Sequence, residues 1–144
     1  MSEFRIDRAL ESAAAAALGS DFTGRIATEG NPFTPPAAGA WAQLTNLRAG
    51  ADVASLGVGG MDDHTGVLQI DITVPANSTN PRGVLLGHAD RLRAFFVAGR
   101  PLTFQGQTVR VRSASVSSLR LVDTNQRVSV SISYTALTIR PEIT

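Results

Sequence analysis

The chain contains no cysteine and no lysine, so all 13 of its basic residues are arginine. The absence of cysteine excludes disulfides, thiolate chemistry and cysteine-ligated metal sites. The absence of lysine excludes a Gly-Lys-Ser/Thr phosphate loop. With a formal net charge of +1, the protein has no strong field that would attract nucleic acid or an anionic membrane. The use of arginine alone fits codon bias in a GC-rich genome better than a recognition role for guanidinium groups.

Long hydrophobic runs are also missing. The alanine-rich stretch at residues 13–17 is too short and too weakly apolar for a signal peptide or a membrane span. The 144 residues have the size of one ordinary domain, which can bury a core without disulfides or metals. We therefore expect a soluble protein, made in the cytoplasm, with a single domain over residues 1–144.

The clearest pattern lies at residues 65–75, where apolar and polar residues alternate. This period of two predicts a β-strand with one buried and one polar face. The residues expected on the buried face are Leu68, Ile70, Ile72 and Val74. Pro75 ends the strand, because proline cannot donate to the ladder. We expect this strand to lie at the centre of the sheet.

Two segments show the helical period instead. The first covers residues 2–18, with Ser2 as the expected N-cap and Gly19 just after the end. The second begins at Asn80 and Pro81, an N-cap followed by proline at the first helical position. It stops at Gly99, because glycine is the usual residue just past a helix.

Further strand patterns surround these elements. They lie near residues 24–28, 41–48, 102–104, 108–114, 117–122 and 127–134. Residues 49–64 are rich in glycine, which weakens any strand, so we expect a mobile excursion between two paired strands. The order helix, strands, helix, strands predicts an α+β fold, a mostly antiparallel β-sheet with two helices packed on one face.

The titratable residues provide one candidate catalytic cluster. His64 follows Asp62 and Asp63 and could serve as a general base or a metal ligand. The alternative is that these residues form an ordinary polar loop before a strand. His88, on the second helix, is expected to be a partly buried core histidine and not a catalyst. No second histidine lies at metal-ligand spacing, and neither a serine elbow nor a dinucleotide loop is present. We therefore expect no catalytic residue, no cofactor and no metal site.

One pair of arginines is a candidate contact surface. Arg110 and Arg112 share the outward face of a predicted strand, and Ala114 continues that face. Such a surface could meet phosphate or an acidic partner. The alternative is a solvated sheet face, because exposed arginine on a strand is ordinary.

Several segments, taken in order, resemble the tail-terminator-like proteins of long-tailed bacteriophages and prophages. The resemblance follows the helix-first layout and covers nearly the whole chain. It rests on the Pro-rich segment 31–36, the glycine loop 57–60, the stretch 64–72, the helix that ends in Phe95-Phe96 and the alternating strand 127–134.

This resemblance implies a structural virion protein and not an enzyme. Such proteins form a ring, expected to be a homohexamer, on the head-proximal end of the tail tube. The ring ends tube polymerisation and offers the joining surface for the head-completion or connector protein. The partners implied are further copies of the chain, the tail tube protein and the head-completion protein, with DNA only as passing cargo and no membrane. The implied location is the neck region of the virion tail, after assembly in the host cytoplasm.

The resemblance also suggests where the subunits meet. An exposed apolar loop is an aggregation risk on a monomer but is accounted for if a neighbouring subunit covers it. The residues expected at the interface are Leu56, Val58, Met61, Asp62, Asp63, Arg110 and Arg112. Alternatives within the same virion are a head-closure or neck protein and a tail tube subunit. Outside it, a small enzyme that uses His64 and a nucleic-acid-binding module remain as weaker hypotheses.

Overall fold

The computed structural model of the protein describes residues 2–57 and 59–139. Its two helices are α1 (Ser2–Leu18) and α2 (Pro81–Phe95), with a short 3-10 turn at Ser20–Phe22. The strands are β1 (Ile26–Thr28), β2 (Trp41–Val53), β3 (Met61–Pro75), β4 (Pro101–Phe104), β5 (Gln107–Val116), β6 (Arg120–Val122) and β7 (Asn125–Ile139). None of the described helices is long and apolar enough to cross a membrane.

The seven strands form one sheet in the order β1-β2-β3-β7-β5-β4, and β6 pairs with β7 beside β5. All described pairs are antiparallel except β1 with β2, which run parallel. The sheet is therefore mixed and not purely antiparallel, although most of its described pairs are antiparallel as expected. Both helices contact the sheet, α1 through β4 and β5 and α2 mainly through β7 and β3. Their packing on one common face stays a prediction.

The strand predicted at residues 65–75 is the core of β3, which lies between β2 and β7 as expected. Its predicted buried residues are at most 2% exposed. They meet the buried residues of β7, since Ile70 pairs with Val130 and Ile72 with Val128. Full burial of such side chains stabilises a fold by about 1.5–3 kcal/mol each, so this pair of strands carries much of the core.

The helix boundaries follow local chemistry. Gly19 has a φ of 81°, the left-handed conformation that ends α1 after Leu18. The Asn80 side chain accepts a hydrogen bond from Gly83 N at 3.3 Å, so the predicted cap of α2 is confirmed. Ser2 was expected to be the cap of α1, but it already lies within the helix.

Two predicted segment boundaries are wrong. Residues 49–53 and 61–64 are not a mobile excursion, because they continue β2 and β3 as paired strands. Inter-strand hydrogen bonds there outweigh the low strand propensity of glycine. At the other end, residues 117–119 are not strand, since β6 starts only at Arg120.

A bulge in β5 changes one predicted face. The register of β5 against β7 shifts between Val111 and Ser113. As a result Ala114 pairs with the buried Ile132 and packs against the core. The expectation that Ala114 continues the outward arginine face is therefore wrong, because a bulge inserts one unpaired residue and inverts the alternation beyond it.

His88 is partly buried beside the core, as its position on α2 suggested. Its ring packs edge-on against Phe22, with the ring centroids 4.9 Å apart. Burial lowers the pKa of His88 below its ordinary value of 6.5, and the nearby Arg91 lowers the pKa further. Asp21 opposes this shift of the pKa in part.

This lowered pKa predicts a pH dependence of stability. Below pH 6.5, His88 binds a proton more readily in the unfolded chain than in the folded chain. The free energy of unfolding therefore decreases as the pH falls. We expect a smaller loss of unfolding free energy between about pH 8 and about pH 5 in His88→Gln than in the wild type. Urea unfolding at both pH values measures this loss. Equal losses in the two proteins would contradict the assignment.

Candidate subunit-contact arm

The outer ends of three paired strands form a segment that we call the arm. It consists of residues 47–53 of β2, 61–67 of β3 and 135–139 of β7, together with the turn between β2 and β3. Ala42, Leu44 and Asn46 of β2 are buried, whereas every residue from 47 to 53 is exposed. The arm therefore leaves the hydrophobic core where β2 passes Asn46.

Hydrogen bonds connect the two strands at the tip of the arm. The backbone amides of Ala54 and Ser55 donate to Met61 O at 2.9 and 3.0 Å. Met61 N in turn donates to Ser55 Oγ at 2.7 Å. These hydrogen bonds join the ends of β2 and β3 at the hairpin.

The arm exposes a group of large apolar side chains. Their exposed fractions are 89% for Leu56, 67% for Ile139, 63% for Val53, 50% for Leu47 and 49% for Leu137. Apolar side chains concentrated in one segment mark a surface that a partner covers. This concentration makes the arm the best candidate for a contact site.

The arm is anchored where Tyr134 crosses beneath Gly66. Tyr134 is buried, and its hydroxyl donates to Asn46 Oδ1 at 2.7 Å. Asn46 Nδ2 in turn donates to Asp7 Oδ1 on α1 at 3.2 Å. Burial raises the pKa of Tyr134, although the hydrogen bond to Asn46 opposes this rise in pKa. A chain of two hydrogen bonds thus ties the base of the arm to α1.

The first turn of α1 holds the arm from one side. Glu3 lies 2.6 Å from His64 Nδ1 on β3 and 3.3 Å from Arg48 Nε on β2. The other ring nitrogen of His64, Nε2, lies 2.8 Å from Thr138 Oγ1 on β7. Glu3 therefore connects to all three strands, directly or through His64. Because Glu3 and Arg48 are each 47% exposed, these ion pairs contribute little stability and mainly orient the arm.

Four of the predicted interface residues lie in the arm. Leu56 is at the tip, and Met61, Asp62 and Asp63 belong to β3. Asp63 Oδ1 accepts a hydrogen bond from Thr135 Oγ1 of β7 at 2.5 Å. Val58 lies outside the described residues.

The two predicted arginines lie on β5, outside the arm. Both are exposed, and Arg110 Nη1 donates to Gly99 O at 3.3 Å. Arg110 also borders a groove along the free edge of the arm, whereas Arg112 sits at the β5 bulge and does not line that groove. The structure thus brings Arg110, but not Arg112, to the edge of the arm.

The groove has a volume of about 840 Å³. Its lining residues are Arg5, Met61, Gly106, Gln107, Thr108, Arg110, Thr135, Ala136, Leu137 and Ile139. Sequence reasoning missed Leu137 and Ile139, because the end of the chain carried no feature beyond an extended pattern. The signal that could have found them was the continuing alternation past Tyr134, in which Leu137 and Ile139 fall on the face opposite the core.

The candidate catalytic cluster is only partly brought together, since Asp62 shares the face of His64 on β3 and Asp63 does not. Each ring nitrogen of His64 is engaged, one by Glu3 and one by Thr138. Asp63 lies on the opposite face of β3, because successive strand residues point to opposite sides. Among the residues that the structure describes, no group of three or more histidine or acidic side chains could hold a metal ion.

A polar cluster on the other face of the sheet is a second candidate. Asp71 is 6% exposed, and its carboxylate accepts hydrogen bonds from Gln69 Nε2 and Ser129 Oγ. Arg120 Nη2 lies 3.8 Å from Asp71 and donates to Ser129 Oγ at 2.7 Å. Arg120 Nη1 donates to Ser117 Oγ at 3.3 Å. The cluster holds β6 against β7 and is therefore structural.

A smaller cavity of about 300 Å³ lies between α1 and β2. Its apolar lining comes from the exposed Phe4 and from three buried core residues, Leu10, Leu44 and Leu68. Charged residues of α1 and β2 surround it, and Arg48 pairs there with Asp7 at 3.3 Å. This cavity has no feature that specifies a ligand.

Comparison with known proteins identifies the family of the chain. The profile of a family described as phage tail terminator protein matches residues 5–134. The chain therefore belongs to the phage tail terminator family and is a structural protein of the phage tail. This membership places the protein in the virion tail and implies contacts with other virion proteins.

Solved structures support the same fold. Seven chains match, and one of them is 25% identical with a TM-score of 0.74. That match covers 99% of each chain. No curated protein matches the sequence.

Proposed function

We propose that the protein forms a ring, a homohexamer, on the head-proximal end of the phage tail tube. The ring ends polymerisation of the tube and provides the surface on which the head-completion protein docks. The observation that carries this proposal is the family match over residues 5–134. Head-to-tail contacts between identical subunits form a closed ring when the successive rotations add up to one full turn. A closed ring can then cap the end of a polymer.

The arm supports this proposal. Five large apolar side chains are exposed on it, and a neighbouring subunit would remove them from water. Assembly with tail tube protein at one end and head-completion protein at the other leaves the lumen for passing DNA. Arg110 and Arg112 are proposed to face a neighbour or that lumen. No enzymatic activity enters the proposal.

Two alternatives within the virion can be separated by experiment. A tail tube subunit would polymerise into long tubes alone, which electron microscopy of the concentrated protein would reveal. A head-closure or neck protein would bind the head side without shortening tubes. The proposed terminator instead shortens growing tubes and binds their ends.

The first test is a matched pair of exposed valines. Val53 in the arm is 63% exposed, and Val97 after α2 is 51% exposed. We expect Val53→Asp to weaken ring formation by ~100-fold, because an unpaired carboxylate would be buried at the contact. Val97→Asp should assemble like the wild type. Size exclusion with light scattering, with and without tail tubes, measures the assembly.

The same measurement can overturn the proposal. A wild-type protein that stays monomeric and never engages tubes would exclude the ring. Equal assembly of the two aspartate variants would show that the arm is not the contact. Circular dichroism of both variants checks that each remains folded.

A further inference from the structure

The arm has two free strand edges, one on each side. On one side, β1 pairs only with Ala42–Leu44 of β2. The next amide on that side of β2, Asn46 N, donates a hydrogen bond to the side chain of Glu29 at Oε1, at 2.8 Å. On the other side β5 pairs with β7 only as far as Ala136, and Gln107 Nε2 donates to Leu137 O at 3.0 Å. Among residues 2–57 and 59–139, no strand pairs with these edges beyond those points.

Such edges attract another strand. An unpaired row of backbone N–H and C=O groups is a template for pairing, and exposed apolar side chains beside it strengthen the attraction. Asp52 on the β2 edge and Leu137 on the β7 edge lie directly across the arm from each other, because both pair with Asp63 of β3. The arm is thus a three-stranded unit that can be extended at both sides.

We propose that the arms of neighbouring copies pair edge to edge, residues 51–53 of one copy with residues 137–139 of the next. This inference rests on the proposed ring. β2 and β7 are both antiparallel to β3 and so run in the same direction. Rotation about a ring axis does not reverse the sense of a strand along that axis. The contact is therefore a parallel strand pair between different edges. A two-fold dimer would instead pair one edge with itself, antiparallel.

The side chains at the two edges are complementary. Asp52 on the β2 edge is exposed, and the groove along the β7 edge is lined by Arg5 and Arg110. With Asp52 level with Leu137, Val53 lies on the other face of the sheet, beside Thr138 of the neighbour. The contact therefore joins an acid to a basic groove, which favours the head-to-tail pairing over either edge with itself.

The cysteine-free sequence makes this geometry testable by disulfide formation. Within one copy, Asp52 and Leu137 are separated by β3, so their Cα atoms lie ~10 Å apart, beyond disulfide reach. Across the proposed contact the same positions are on adjacent strands and within reach. We expect Asp52→Cys with Leu137→Cys, or with Ile139→Cys for the neighbouring register, to give a ladder of linked copies up to the ring.

The controls are the single-cysteine variants, oxidised in the same way with and without tail tubes. Each should give no linked species if different edges meet. Linked dimers from Asp52→Cys alone would overturn the inference in favour of a two-fold contact. A ring seen by light scattering without links in either double variant would overturn the edge contact but leave the proposed function standing. Absence of any ring would overturn both.

Discussion

Replacing Gly66 by alanine is expected to destabilise the protein by about 2–3 kcal/mol, because the substitution overpacks the base of the arm. An added Cβ would lie 2.5 Å from Tyr134 Oη and 2.9 Å from Leu47 O. The tyrosine cannot simply move aside, since it is buried and donates to Asn46. The Leu47 oxygen belongs to the backbone of the paired strand and is equally constrained. Urea unfolding of the variant and the wild type measures the difference.

Gly87 provides a matched control for this substitution. It lies on the exposed side of α2, and no atom lies within 4 Å of an added Cβ. Alanine is preferred over glycine in a helix, so Gly87→Ala should stabilise the protein by about 0.5–1 kcal/mol. Opposite signs for the two variants are therefore expected. A Gly66→Ala variant as stable as the wild type would show that Tyr134 can shift without cost.

The second large effect is expected at Asp71, where Asp71→Ala should cost about 2 kcal/mol of unfolding free energy. The substitution removes the acceptor for Gln69 and Ser129, and it removes the ionic partner of Arg120. Ser129 is only 6% exposed, so water cannot fully replace the lost acceptor. Since the cluster holds β6 against β7, we also expect faster amide exchange in β6.

Asp90 on α2 is the control for Asp71. It is exposed, and Asp90→Ala should change stability by no more than about 0.5 kcal/mol. Urea unfolding compares the two aspartate variants with the wild type. Equal effects would show that burial of the Asp71 carboxylate has no consequence for stability. A loss of unfolding free energy in Asp71→Asn that lies between those of the wild type and Asp71→Ala would show that the hydrogen bonds contribute to stability, because the amide keeps one acceptor oxygen.

Elements with strong local signals were predicted well. The alternation at residues 65–75 located β3 and its buried face, and the Asn80-Pro81 pair located the start of α2. Both signals depend on neighbours along the chain, which act in the same way whatever the tertiary structure. The strand at residues 127–134 was found for the same reason, although β7 continues to Ile139.

Elements that depend on distant partners were predicted poorly. The glycine-rich residues 49–64 looked irregular alone, yet residues 50–53 and 62–64 pair in the β2–β3 hairpin. The bulge after Val111 gave no local signal and moved Ala114 to the core. Asp71 looked like an ordinary outward polar residue until Ser129 and Arg120 were brought against it from other strands.

The candidate site shows the same division. Leu56, Met61, Asp62 and Asp63 were placed at the interface from the apolar loop and the family resemblance, and all four lie in the arm. That they meet another subunit stays a prediction. Leu47, Val53, Leu137 and Ile139 completed the apolar surface only once β2 and β7 were seen to flank β3.

By itself the sequence determined both helices, the alternation of the central strand and the family resemblance, because these depend on short-range periodicity and residue order. The tertiary structure alone decided that the hairpin extends past the buried part of β2 and that no strand among the described residues pairs with its two outer edges. Strand pairing joins residues far apart in the chain, and no local pattern reveals where a partner strand ends. Those free edges, and not the glycine loop alone, now carry the proposal for how copies of the protein meet.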